Sequence, residues 1–210
     1  MTNTEAPNAA QTAPAQTAPA MPDPRPAFAR AMALAGETIA AVRPDQLDLR
    51  VASCPEFDVR ELTGHMLFAL RRIAAVARGE IDATDAVVTR GVADDNWVSL
   101  WQDAVDQVTA AFADDAVLRR MVALPFAALP GAVAAGIYVS EMTTHTWDLA
   151  RATGQTPVFD DAVCQLALAV MTVGLPAEGR DDAVPFDAPV PVADDAPTID
   201  RLVGWVGRRP

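Results

Sequence analysis

Two histidines occur in 210 residues, and both fall on stretches with the pattern of buried helices. His145 follows Glu141 by four residues in Glu-Met-Thr-Thr-His. Side chains four apart share one helix face, so this carboxylate and this imidazole point the same way. Together they are ordinary ligands for zinc, nickel or iron. A donor from a second helix completes a two-histidine, one-carboxylate site with open positions, and His65 is the histidine left to supply it. A metal-free hydrogen bond between Glu141 and His145 satisfies the same two groups, and Glu-x-x-x-His alone is a weak motif.

Other polar residues gather around these three. Asp148 lies three residues past His145 on the same stripe and is better placed to orient a ligand than to bind metal directly. Glu61 and His65 also form a Glu-x-x-x-His pair, but Glu61 has a capping role that explains it. Arg72 shares the face of His65; it suits an anionic substrate or, as the commoner role, an ion pair. Cys54 and Cys164 are far apart and make a poor disulfide framework, as expected of reduced thiols in a cytoplasm. Cys54 precedes a helix start, where a thiolate gains some stabilisation, yet a small buried hydrophobe is its simpler role.

Helices must position these groups. Phe28, Met32, Ala35, Ile39 and Val42 form an apolar stripe over a first helix from Pro26 to about Val42. A second starts at Asp58, with Glu61 three residues on as a capping box, and runs through His65 to Arg78 before Gly79. A third carries Val98, Trp101, Val105, Val108 and Phe112 at helical spacing. The fourth starts near Pro130, passes Glu141 and His145, and ends at Gly154. A fifth spans Asp161 to Gly174 with Val163, Leu166, Val170 and Val173, and a short last one spans Thr198 to Val206. Between these two, Pro176 to Pro197 is proline-rich and extended, with Phe186 to Val192 laid against the helices. No strand of useful length is predicted, so the class is all-α, a helical bundle with a wrapped C-terminal segment.

Composition narrows the function. Net charge is −12 and all 16 basic residues are arginine. Nucleic acid and anionic membranes both need clustered positive charge, so neither is expected as a partner. Met121 to Ser140 carries no charge, but Pro125, Pro130 and Gly131 interrupt it, which predicts a loop feeding a buried helix. Residues 1–24 are rich in Ala, Pro and Thr, have no secretory pattern, and predict a disordered tail before a domain at 25–210. Trp97, Trp101, Trp147 and Trp205 serve as core or interface anchors, which leaves a homodimer open.

Two segments resemble a known family: Cys-Pro-Glu-Phe-Asp-Val-Arg-Glu-Leu-Thr-Gly-His at 54–65, and Glu-Met-Thr-Thr-His-Thr-Trp-Asp-Leu-Ala-Arg-Ala-Thr-Gly at 141–154. They are similar to actinobacterial metal-binding proteins related to mycothiol-dependent maleylpyruvate isomerase, in the DinB-like superfamily. The resemblance implies a four-helix core holding a divalent metal, usually zinc, through His65, Glu141 and His145. It also implies a low-molecular-weight thiol held at the metal as cosubstrate and a small electrophile as its target. The isomerase itself carries a further C-terminal domain, whereas here Pro176 to Pro210 follows the bundle. The resemblance thus implies metal-dependent thiol transfer or isomerisation rather than that one substrate. A non-catalytic metal- or thiol-binding protein, and a purely structural bundle, are the alternatives.

Overall fold

The computed structural model describes residues 22–80, 87–180 and 186–210. Nearly all of the expected N-terminal tail lies outside the described residues. Among those described, the α-helices and strands are α1 (Arg25–Ala40), α2 (Val59–Arg78), α3 (Trp97–Ala111), α4 (Asp115–Arg119), β1 (Met121–Ala123), β2 (Ala128–Pro130), α5 (Gly131–Thr153), α6 (Asp161–Gly174) and α7 (Thr198–Trp205), with a 3-10 turn at Pro44–Gln46 after α1. The class is all-α and DinB-like, as expected, with one small addition. β1 and β2 form an antiparallel hairpin in which Val122 faces Leu129. This stretch was expected to be loop. Three-residue strands carry too few alternating positions for periodicity to register.

Local chemistry sets the helix ends. The Asp58 carboxylate accepts from the Glu61 backbone N–H at 2.8 Å, and the Glu61 carboxylate accepts from the Asp58 N–H at 3.4 Å. Both are otherwise orphaned donors of the first turn of α2. Gly79 ends α2 at φ 87°, a conformation that carries no steric cost without a Cβ.

α5 is the axis of the molecule. It packs against α1, α2 and α6 and is buried on nearly every side, from Ala134 through Tyr138 and Met142 to Leu149. Three of its four buried threonines are satisfied within the helix, while the Thr144 hydroxyl has no hydrogen-bond partner among the described residues. The hydroxyls of Thr143, Thr146 and Thr153 donate to the carbonyls of Val139, Met142 and Leu149 one turn back. The start of α5 requires glycine, because a Cβ on Gly131 would lie 2.1 Å from the Val117 carbonyl oxygen.

α3 closes the bundle against α1 and α2. Trp101 drives this contact: its indole N–H donates to the Met32 carbonyl at 3.1 Å, and Gly36 leaves room for the ring. Two expected core residues are corrected. Val98 is 54% exposed and Val173 is 90% exposed. Trp97 takes the inward position beside Val98, and Cys164, Ala167 and Met171 form the buried face of α6 with Val163. The wrapped C-terminal segment is as expected: Phe186 packs on the core, and Val190 donates to the Gly204 carbonyl on α7. No helix of the described residues is long and apolar enough to cross a membrane.

Candidate metal centre

α2 and α5 lie side by side and bring His65, Glu141, His145 and Asp148 together. His65 Nε2 stands 2.8 Å from Glu141 Oε1, and His145 Nε2 stands 3.5 Å from the same oxygen. The two imidazoles meet edge to face with centroids 4.9 Å apart. One ligand atom from each of His65, Glu141 and His145 lies within 4.8 Å of the others. Side-chain exposure is 19% for His65 and 24% for Glu141, against 9% for His145, so the group opens to solvent on the side of the first two.

The far nitrogen of each ring is also held. His65 Nδ1 lies 2.8 Å from the Val87 carbonyl oxygen, which can only accept. His145 Nδ1 lies 3.0 Å from Asp148 Oδ2, a carboxylate with no exposed surface. Each Nδ1 therefore carries hydrogen, and each Nε2 is left facing the Glu141 carboxylate, another acceptor. Acceptors meeting acceptors at short range require positive charge between them. A proton supplies it in one way and a divalent cation in another.

The electrostatics run the same way. Burial opposes an imidazolium at His145, but Glu141 and Asp148 outweigh it and raise the pKa to about 9. Burial likewise opposes a charged Glu141, yet His145 and His65 hold its carboxyl well below the usual range. Asp148 is lowered to about 2 against the cost of burial, by His145 and then Arg208.

Several neighbours were not foreseen. Phe57 stacks on the His65 ring at 5.1 Å, which shields one of its faces. Arg208 pairs with Asp148 at 3.1 Å. The Arg208–Asp148 contact, 60 residues apart in the chain, leaves no periodic trace in the sequence. Gly64 is a third: a Cβ there would lie 2.4 Å from the Thr89 carbonyl oxygen, and Thr89 donates to the Gly64 carbonyl at 2.9 Å. The bare α-carbon lets the segment after residue 86 lie on α2 and present the Val87 carbonyl to His65. Gly64→Ala is expected to displace that segment, at about 1–3 kcal/mol in thermal or denaturant melts. If His65 is a metal ligand, affinity for metal should fall ~10–100-fold in chelator competition, as when a ligand loses its outer partner.

The remaining candidates lie outside this group. Arg72 sits with its guanidinium 4.5 Å over the Phe68 ring, about 10 Å along the helix from His65 by the rise per residue. Glu61 is occupied by its cap and by Arg90, at 3.1 Å. Cys54 is buried and donates to Glu56 at 3.3 Å, and burial pushes its thiol far above the ordinary range. A second grouping, Cys54 with His145 and Asp148, also has its ligand atoms within 4.8 Å of one another. Arg208 already brings positive charge to both Asp148 and the Cys54 sulfur, so a cation there would meet repulsion.

Residues 28–150 match the family model described as the mycothiol maleylpyruvate isomerase N-terminal domain, a stretch that contains His65, Glu141, His145 and Asp148. Two uncharacterized proteins of Mycobacterium tuberculosis, one from each of two strains, are each 30% identical over 188 residues. The alignment covers 89% of this chain and 98% of each relative. No solved structure matches. With more than half of its length matched by the family model and nearly all of it by these relatives, the chain belongs to the family of the mycothiol maleylpyruvate isomerase N-terminal domain.

Proposed function

We propose that this chain binds a divalent metal through His65, Glu141 and His145, and that it is a metal-dependent transferase or isomerase joining a low-molecular-weight thiol to a small electrophile. One observation carries the reading. Two imidazoles with hydrogen-bearing Nδ1 atoms turn their Nε2 lone pairs toward one carboxylate. Imidazole nitrogen and carboxylate oxygen suit zinc first, with nickel and iron accepting the same donors. Membership of a mycothiol-related family supports a thiol of that type as cosubstrate.

The metal, when bound, supplies the positive charge that makes a thiol ionise near neutral pH and so act as a nucleophile. The residues of the chain do the rest. The Val87 carbonyl and Asp148 fix the tautomer and plane of the two rings. Phe57 keeps water from one face of His65. The partial exposure of His65 and Glu141 gives a small thiol its approach. Cys54, held as a neutral thiol by burial, does not compete with an incoming thiolate.

Metal analysis with a conjugation assay tests this. Purified or reconstituted protein is expected to hold a single divalent ion per chain, and thiol addition to an electrophile should stop on chelation and resume with zinc. Absence of bound metal after reconstitution overturns the proposal. Metal binding without conjugation, across a broad panel of thiols and electrophiles, reduces it to a binding protein.

A further inference from the structure

The Asp148 carboxylate is fully buried, and both of its oxygens are occupied. Oδ2 accepts from His145 Nδ1 at 3.0 Å and from Arg208 Nη2 at 3.1 Å, while Oδ1 accepts from Arg208 Nε at 3.4 Å. Arg208 thus grips the carboxylate with two nitrogens, the planar fork that only arginine provides. The guanidinium is itself held: Nη1 donates to the Val206 carbonyl at 3.0 Å, and the side chain is 9% exposed.

The C-terminal segment is built to deliver this group. At the end of α7, Arg208 N–H donates to the Val203 carbonyl at 2.8 Å and Gly207 N–H to the Gly204 carbonyl at 3.1 Å. This is the Schellman arrangement, with Gly207 as its left-handed residue at φ 89°. α7 is anchored in turn by Trp205, whose indole N–H is shared between the Met171 and Leu175 carbonyls at the end of α6. These bonds aim Arg208 back at α5. Arg208 lies beyond the residues matched by the family model.

We propose that Arg208 is a positioning residue of the metal centre, fixing the His145 ring by way of Asp148. The inference rests on the metal-binding reading above. With Arg208 in place, the carboxylate cannot turn about its own axis, and Oδ2 stays in line with His145 Nδ1. Without it, Oδ1 is buried and unpaired, and the carboxylate is free to rotate toward other donors. The ring then loses the outer hydrogen bond that sets its plane and directs Nε2 at the site.

The test loads the full chain with cobalt(II), and reads affinity by chelator competition and site geometry by the visible ligand-field bands. Arg208→Met is expected to weaken binding ~10–100-fold and to shift the bands. Arg208→Lys should restore only part of the loss, because an ammonium does not span both oxygens. Asp148→Asn should lower affinity in the same range, and adding Arg208→Met to it should cost little more, since the two act through one contact. A merely structural clamp would lower the melting temperature and leave the bands alone. A folded Arg208→Met variant with wild-type affinity and spectrum overturns the inference, as do losses that add in the double variant. If Arg208→Met does not fold, Arg208→Lys decides: weakened binding with shifted bands supports the inference, and wild-type behaviour overturns it. Failure of the wild type to bind cobalt removes the metal-binding reading and this inference together, a result unlike any of the others.

Discussion

Glu141→Ala is expected to abolish stoichiometric metal binding, with a loss of affinity greater than ~100-fold, the upper end of what an outer partner alone contributes. Glu141 Oε1 lies within reach of both Nε2 atoms, at 2.8 Å and 3.5 Å. Its loss leaves two imidazoles facing each other with no anion between them, so a metal would lose both a ligand and the charge that offsets its own. Glu61→Ala is the matched control. It removes a carboxylate from the other Glu-x-x-x-His pair, yet its work is the cap of α2. It should lower stability by about 1 kcal/mol and leave metal content at the wild-type level. Equal metal content in Glu141→Ala and wild type, by elemental analysis, would remove Glu141 from the site.

The second large effect is a reversal of pH dependence on metal binding. His145 has its pKa raised from 6.5 to about 9, so in the folded chain without metal its charged form is favoured. That stability is fully present below the unfolded value of 6.5 and is lost as pH rises through 9. Its size is on the order of 3 kcal/mol, shared among coupled groups and counted once. Glu141 and Asp148 act at the other end. Their carboxyls are lowered from 4.5 and 3.8, so their contribution is present above those values and lost as pH falls through the folded ones. Stability without metal should therefore peak between about 4.5 and 6.5. Metal must displace the His145 proton, so apparent affinity should fall about tenfold per pH unit below 9. The loaded protein should then melt higher at pH 8 than at pH 6, the opposite of the metal-free protein. Melting curves over pH, with and without chelator, read this directly. Parallel pH profiles in the two series would show that metal and proton do not compete for His145.

Much of this was legible because it is local. The capping box of Asp58 and Glu61, the stop at Gly79 and the shared face of Glu141 and His145 are all set by spacing along one helix. His65 was placed opposite them by scarcity and by resemblance, and the packing of α2 on α5 brings it there. What stayed hidden is what depends on distant chain. The Val87 carbonyl and Arg208 reach the site from separate segments, and no periodicity links them. A glycine after the last helix, Gly207, is the signal that could have pointed to the turn that launches Arg208. Val98 and Val173 show a second limit. Apolar spacing gives the period of a helix but not which of two neighbouring residues faces inward, and beside Val98 the larger Trp97 took that place.

α5 buries nearly its whole surface and also carries Glu141, His145 and Asp148 on a single stripe. Its core packing and its chemistry therefore share one rotational setting. Inserting or deleting one residue between Glu141 and His145 turns everything beyond by about 100°, which would swing His145 from His65 and drive Leu149 out of the core in the same motion. The helix works like a camshaft whose lobes cannot be re-timed one by one. Within α5 the chain can change side chains, but the count of residues across the site is fixed by packing and chemistry at once.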